Sequence, residues 1–218
     1  MAYYKFLTSE HKGEYSDYDF SEYLPKENES GAWLPTVETL SICESGYHCF
    51  EPKDILSWIN AELWEVEVGG DVLKGNEKLC AQQIRFIRKI EAWNEKTARL
   101  FACWCVRQIW HLLADDRSKN AVIVAEKYAN GEATESELAV TWNAARDAAR
   151  DAARAATWAA ACAAARDDAW AATWDAAWAS AGDAAWASAG DASWIATRDA
   201  ALEAQILHLL EMLGIREE

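Results

Sequence analysis

The hydrophobic positions of this chain follow a period of two in its first part and a helical period afterwards. Residues 3–7 and the alternating segment AELWEVEV predict two strands, and residues 79–90 predict a further strand. Pro52 predicts the start of a short helix, because proline suits a first helical turn. Together these elements predict a small antiparallel α+β domain over residues 1–91.

The segments that connect these strands predict less regular structure. Residues 8–31 are polar, with several Glu residues and one Pro, and predict a loop. The sequence WLPTVETLSIC predicts a second extended stretch, and ESGYHCF predicts a turn into a short strand. Gly69 and Gly70 predict the turn that leads to the strand at 79–90.

The later part of the chain carries helix signals with identifiable ends. Residues 93–113 predict a helix with one apolar side, and a second helix is expected near 118–129. Gly131 suits the left-handed conformation that often ends a helix. Thr134 and Glu137 have the spacing of a capping box, which predicts the start of the next helix.

Between about residues 143 and 205 the sequence repeats in units of four residues, which we call tetrads. Ala is dominant, Asp recurs at the first position of a tetrad and Trp at the fourth. Each unit turns a helix by about 40° beyond a full circle, so the Trp side chains of one straight helix would face every direction. We therefore expect residues 135–213 to form two or three packed helices, with Trp buried against Ala. Residues 92–218 are predicted to be an Ala/Trp-rich multi-helix bundle, which makes the whole chain α+β.

The overall charge limits the classes of partner. A formal net charge of −15, without a basic patch, argues against binding to a nucleic-acid backbone. The acidity indicates either solubility or docking to a basic partner surface. No apolar run approaches the roughly 20 residues of a membrane span, and no signal-peptide core is visible. We therefore expect a soluble, cytoplasmic protein with reduced cysteines and no disulfide.

One group of soft side chains is the best metal candidate in the sequence. It consists of Cys43, His48, Cys49 and Cys80, which surround a turn and a strand. The spacings contain no paired CxxC and match no strong zinc template, so buried thiols beside a surface histidine are the favoured interpretation. We predict that the protein holds neither a metal nor a cofactor.

A second group suggests enzymatic chemistry. Tyr3, Tyr4 and His48, together with Glu65 or Glu67, lie on short predicted strands, and ADP-ribosyltransferase folds combine these residue types around nicotinamide. A sheet with carboxylates on its surface is the alternative. No phosphate-binding loop, nucleophile elbow or HExxH motif occurs.

The repeated tryptophans allow three interpretations: they fill a helical core, bind a protein partner, or stack on a flat ligand such as a nucleobase. For partner binding we expect carboxylates to surround an aromatic anchor, as in many interface hot spots. The predicted partner-binding residues are Asp167, Asp168, Trp170, Trp174, Asp175 and Trp178.

Several stretches carry a resemblance to known families. The segment TARLFACWCVRQIWHLLADDRSKNAVIVAEKYANGEAT, the AARDAARDAARAA repeat and the closing ALEAQILHLLEML resemble all-helical immunity proteins of bacterial polymorphic toxins. Residues 1–91, through SGYHCF and LWEVEV, resemble a small uncharacterised domain of phage and prophage proteins. The resemblance implies a binding protein that neutralises a toxin, without catalytic residues to carry over.

These observations lead to one main functional expectation and two alternatives. The main expectation is a non-enzymatic inhibitor or immunity-type protein of phage or prophage origin, which binds and neutralises a protein effector. The first alternative is a phage anti-defence protein that sequesters a nucleotide-like signal. The second is an ADP-ribosyltransferase-like enzyme in the N-terminal domain. The oligomeric state stays open.

Overall fold

The computed structural model describes residues 2–26, 29–113, 115–152 and 191–216. The chain divides into two compact units. One comprises Met1–Asn94 with Leu210–Glu218, and the other comprises Glu95–Leu209.

The first unit contains six strands: β1 (Tyr3–Leu7), β2 (Lys12–Gly13), β3 (Ser16–Asp19), β4 (Tyr47–Cys49), β5 (Glu62–Lys74) and β6 (Leu79–Lys89). Four of them form an antiparallel sheet with the strand order β1-β5-β6-β4. A separate short hairpin is formed by β2 and β3. Two 3-10 helices, Ser21–Tyr23 and Pro52–Ser57, lie between the strands.

The sheet curls until its two edges meet at one point. Tyr4 in β1 and Phe50, directly after β4, exchange two backbone hydrogen bonds of 2.9 Å. The curl accompanies irregular pairing of β5 with β6 between Gly69 and Val72, since bulges bend a sheet and increase its twist. Apart from this bridge, β1 and β4 are not paired, which leaves room for side chains between the two edges.

Aromatic side chains pack on the sheet. Phe86 meets Phe20 and Trp64 edge-on, with ring centroids 5.6 and 5.7 Å apart. In a second group, the Phe6 ring stacks on Phe50 at 5.7 Å and meets Trp93 edge-on at 5.5 Å. Burial of such rings is the main stabilising contribution in a small domain.

The described part of the second unit is helical. Its helices are α1 (Glu95–Gln108), α2 (Asp116–Ala129), α3 (Glu135–Ala152) and most of α4 (Asp191–Leu213), with a 3-10 turn at Trp110–Leu112. Arg107 in α1 donates two hydrogen bonds, of 2.9 and 2.6 Å, to the carboxylate of Glu126 in α2. The Trp104 ring in α1 stacks on His208 in α4, with centroids 4.0 Å apart.

The ends of α2 and α3 follow from local sequence. The Asp115 side chain accepts a 2.8 Å hydrogen bond from the Arg117 amide and caps α2. Gly131 follows α2 with a φ of 75°, a conformation that glycine adopts at little cost. Thr134 and Glu137 form the capping box at α3, because each amide donates to the other side chain at 2.7 and 3.2 Å.

The structure confirms the mixed α+β class. The turn predicted at Gly69 and Gly70 is wrong, because β5 continues through both residues to Lys74. The strand predictions near 3–7 and 79–90, and the capping box, are confirmed. The prediction of an irregular loop over 8–31 is wrong, since β2 and β3 form a hairpin there. The helix predicted over 93–113 ends as an α-helix at Gln108 and continues only as a 3-10 turn.

The predicted extended segment is confirmed only in part, and the packing predicted for the tetrads falls mostly outside the described residues. The segment predicted to be extended before Cys43 belongs to no strand, but its amides at Leu34 and Val37 donate to β6 at 2.9 and 3.0 Å. Most of the tetrad repeat, residues 153–190, lies outside the described residues, so its packing is not described. None of the described helices combines the length and the apolar character needed to cross a membrane.

Candidate ligand-binding cleft

A cleft of about 660 Å³ opens where the two edges of the curled sheet come together. β1 contributes Lys5, the hairpin contributes Tyr15 and Tyr18, and β4 contributes His48. Lys78, directly before β6, also lines the cleft. Closure of the sheet therefore brings together residues that are far apart in the sequence.

Aromatic rings form much of the wall. The Tyr18 ring lies 4.8 Å from Phe20 and 6.1 Å from Tyr47, between centroids. Tyr15, at the tip of the β2–β3 hairpin, meets Trp58 edge-on at 6.4 Å while 82% of its surface is exposed. An aromatic ring held in this way offers a face on which a planar ligand can stack.

Lys5 places a positive charge in these surroundings. Its ammonium donates a 2.8 Å hydrogen bond to the His48 carbonyl oxygen, and the Nζ atom lies 5.0 Å from the centroid of Phe20. No carboxylate among the described residues forms an ion pair with it. Burial lowers the pKa of Lys5 to about 8, and nearby Cys49 opposes this effect only in part.

A second cluster in the cleft lining contains Cys43 and His48. The Cys43 amide, in a residue with a φ of 72°, donates to Nε2 of His48 at 3.1 Å. Nε2 is therefore an acceptor, and the imidazole is neutral with its proton on Nδ1. Burial lowers the pKa of His48, and the charges of Lys5 and Lys78 add to the effect, so the ring is neutral at pH 7.

Lys78 connects this cluster to the aromatic wall. Its ammonium lies 2.9 Å from Sγ of Cys43 and 5.4 Å from the centroid of Trp58. Trp58 is itself held in place, because its indole N–H donates to the Glu77 carbonyl oxygen at 2.7 Å. The cleft thus combines two ammonium groups with several ring faces.

The four soft side chains of the sequence analysis are only partly assembled. Cys43 is exposed and contacts His48, which differs from the expected buried thiol. Cys49 belongs to the buried core, where burial raises its thiol pKa to about 12. Cys80 donates to the Ser45 carbonyl oxygen at 3.1 Å. In the described ranges, no group of three or more His, Cys, Asp or Glu side chains is placed to hold a metal ion.

The residues considered for ADP-ribosyl transfer are not brought together. Glu65 pairs with Arg88 and Glu67 with Arg85, each at 2.7 Å. Of the described residues, these two glutamates are not in the cleft lining that contains His48. Tyr4 is buried in the bridge with Phe50.

Sequence reasoning did not select Lys5, Lys78 or the hairpin tyrosines. One signal was present, since Lys5 is the single charged residue within an otherwise apolar and aromatic strand. The predicted partner-binding residues lie outside the described residues, namely Asp167, Asp168, Trp170, Trp174, Asp175 and Trp178.

Comparisons with protein families, with curated proteins and with solved structures find no match to this chain. The resemblances to immunity proteins and to a phage domain therefore stay predictions from the sequence.

Proposed function

We propose that the protein is a non-enzymatic binding protein whose N-terminal unit sequesters a flat, anionic, nucleotide-like molecule. The observation that carries this proposal is the cleft, in which Lys5 and Lys78 lie beside the rings of Phe20 and Trp58. A planar ring would stack on the aromatic wall, and a phosphate or carboxylate would accept hydrogen bonds from the ammonium groups.

The size and the ionisation of the cleft support this class of ligand. A volume of about 660 Å³ lies within the range of roughly 300–1,000 Å³ that is usual for small-molecule sites. Lys5 has no carboxylate partner among the described residues, so an incoming anion would not have to displace one. A bound anion would also stabilise the charged form of Lys5, whose desolvation otherwise opposes protonation.

Calorimetric titration with nucleoside monophosphates tests the proposal. Replacing Lys78 by Gln removes a charge-assisted hydrogen bond and should weaken binding about 10-fold or more. The matched control is Lys26→Gln, because Lys26 is an exposed lysine outside the cleft lining. Tyr15→Ala should also weaken binding, whereas Trp33→Ala, at an exposed aromatic residue outside the cleft, should not.

The fate of the ligand separates a sequestering protein from an enzyme. A sequestering protein releases the bound molecule intact and in a stoichiometric amount when it is denatured, as mass spectrometry of the extract would show. Turnover of NAD by the purified protein would instead favour the ADP-ribosyltransferase alternative. If none of the nucleotides binds and nothing is released on denaturation, the proposed function is wrong.

The inhibitor function stays a separate proposal that rests on sequence. It is supported by the net charge of −15 and by the alternation of Trp and Asp in the tetrads. Substituting Asp167, Asp168 and Asp175 by Asn should slow association with a basic protein effector and reduce its salt dependence. The packing of the tetrads as a multi-helix bundle is likewise a proposal, and Trp178→Ala should then cost about 3–5 kcal/mol.

A further inference from the structure

We propose that Lys5 is a nucleophilic amine that captures a carbonyl group of the ligand as a reversible imine. The ligand class would accordingly be an aromatic aldehyde or ketone that carries an anionic group. This inference rests on the proposed function, because it assigns a covalent step to a molecule that stacks in the same cleft.

The partners of Lys5 distinguish it from other lysines of the sheet. Lys89 donates to the carboxylate of Glu62 at 2.6 Å, and Lys74 donates to that of Glu51 at 2.9 Å, so each of these amines has an ion-pair partner. Lys5 donates only to the neutral carbonyl of His48 among the described residues. Loss of its proton therefore breaks no ion pair, and a lysine in apolar surroundings is available as a nucleophile.

Lys78 and the aromatic rings of the cleft can contact the anionic group and the ring of the ligand. Lys78 lies beside Trp58 and can donate hydrogen bonds to the anionic group, while Phe20 lies next to the Lys5 amine. Apolar walls slow hydrolysis of an imine, because they limit the access of water. The cleft thus offers separate contacts for the anion, the ring and the carbonyl carbon.

The step balances without an oxidant or a reductant. The neutral amine attacks the carbonyl carbon and forms a carbinolamine, in which a C–N bond replaces the C–O π bond. The two amine hydrogens and the carbonyl oxygen then leave as water, and a C=N bond remains. Addition of water reverses the reaction and releases the ligand unchanged.

Burial makes the neutral form of the amine accessible near neutral pH. With a pKa of about 8, Lys5 is half neutral at pH 8, whereas less than about 1% of an ordinary lysine is neutral there. Cys49 is the titratable neighbour that opposes this shift. The other ionisable groups that line the cleft are Glu14, Tyr15, Tyr18, Cys43, Glu44, Tyr47, His48 and Lys78.

Labelling with pyridoxal 5′-phosphate tests the proposal, since this probe is a planar anionic aldehyde. The protein is incubated with it at pH 8 and reduced with borohydride, and the modified lysines are located by peptide mass spectrometry. We expect Lys5 to be labelled at least about 10-fold faster than the exposed Lys26 and Lys96, because burial lowers the pKa of Lys5 to about 8. Equal labelling of the three lysines in the wild-type protein would overturn the inference.

Two variants and a second probe identify which proposal fails. Lys5→Arg keeps the positive charge but cannot form an imine, so the fast labelling should disappear. Lys26→Arg, at an exposed lysine outside the cleft lining, should keep it. Pyridoxine 5′-phosphate has an alcohol in place of the aldehyde and reports binding alone. If it binds while Lys5 is not preferentially labelled, only the imine is refuted. If neither probe engages the cleft, the imine and the proposed ligand class both fail.

Discussion

Replacing Lys5 by methionine should make the protein more stable at neutral pH. Methionine is unbranched and of similar length, so it can occupy the space between β1 and Phe20 without a charge. In the wild-type protein the ammonium is half-buried and has no carboxylate among its described neighbours, so folding removes part of its hydration without returning an ion pair. The variant avoids this cost.

The magnitude follows from the pKa of Lys5. It falls from 10.5 to about 8 on folding. The difference of about 2.5 corresponds to at most about 3.4 kcal/mol, at about 1.36 kcal/mol for each pKa unit. Partial exposure reduces this value, and the hydrogen bond lost at the His48 carbonyl removes about 1 kcal/mol more. We expect a net stabilisation of about 1–2 kcal/mol at pH 7.

The pH dependence of the difference provides a second measurement. Between pH 8 and 10.5 the unfolded chain keeps the Lys5 proton while the folded protein has released it, so this group makes the wild type more stable as pH rises. The advantage of the variant should therefore shrink across that window. Cys103, whose pKa is raised to about 12 in the folded state, opposes this trend equally in both proteins. The pKa of Cys49 is also raised to about 12 and is lowered in part by the Lys5 charge, so Cys49 opposes the trend more strongly in the variant.

Urea denaturation of both proteins at pH 7 and pH 9.5 measures these quantities. Lys26→Met is the control, because Lys26 is exposed and its replacement should change stability by less than about 0.5 kcal/mol. The reasoning is refuted if the Lys5 variant is less stable than the wild type at pH 7. A difference that stays the same at both pH values would also contradict it.

Two further predictions concern the backbone. Gly46→Ala should destabilise the first unit by about 1–3 kcal/mol in urea denaturation, because Gly46 has a φ of 116° and an added Cβ would collide with Cys80 Sγ. Gly131 also has a positive φ, but an added Cβ would meet nothing within 4 Å. Gly131→Ala should therefore destabilise the protein less than Gly46→Ala does, and an equal loss of stability would contradict the steric part of this explanation. Thr134→Ala removes the capping-box partner of Glu137 and should cost about 1 kcal/mol, whereas an unchanged midpoint would show that the cap is dispensable.

Short-range patterns predicted the elements that depend on neighbouring residues. Alternation identified β5 because one side of that strand is buried, and the capping box at Thr134 joins residues only three apart. The β2–β3 hairpin was not predicted, because every residue of β3 is exposed and the strand therefore has no alternation of apolar and polar positions. The cleft was not predicted either, since it depends on the bridge between Tyr4 and Phe50, which are distant in sequence.

Three departures from local stability rules affect the lining of this cleft. Lys5 is a charge in an apolar strand, Cys43 is a non-glycine residue with positive φ, and the pairing of β1 with β4 stops after the bridge between Tyr4 and Phe50. The buried charge and the positive φ each cost free energy, and the short pairing of β1 with β4 forgoes backbone hydrogen bonds. All three features affect the cleft lining. A fold optimised only for stability would place methionine or leucine at position 5 and extend the ladder. Their coincidence at one cleft supports the proposed ligand site, because functional sites commonly retain one or two local conflicts.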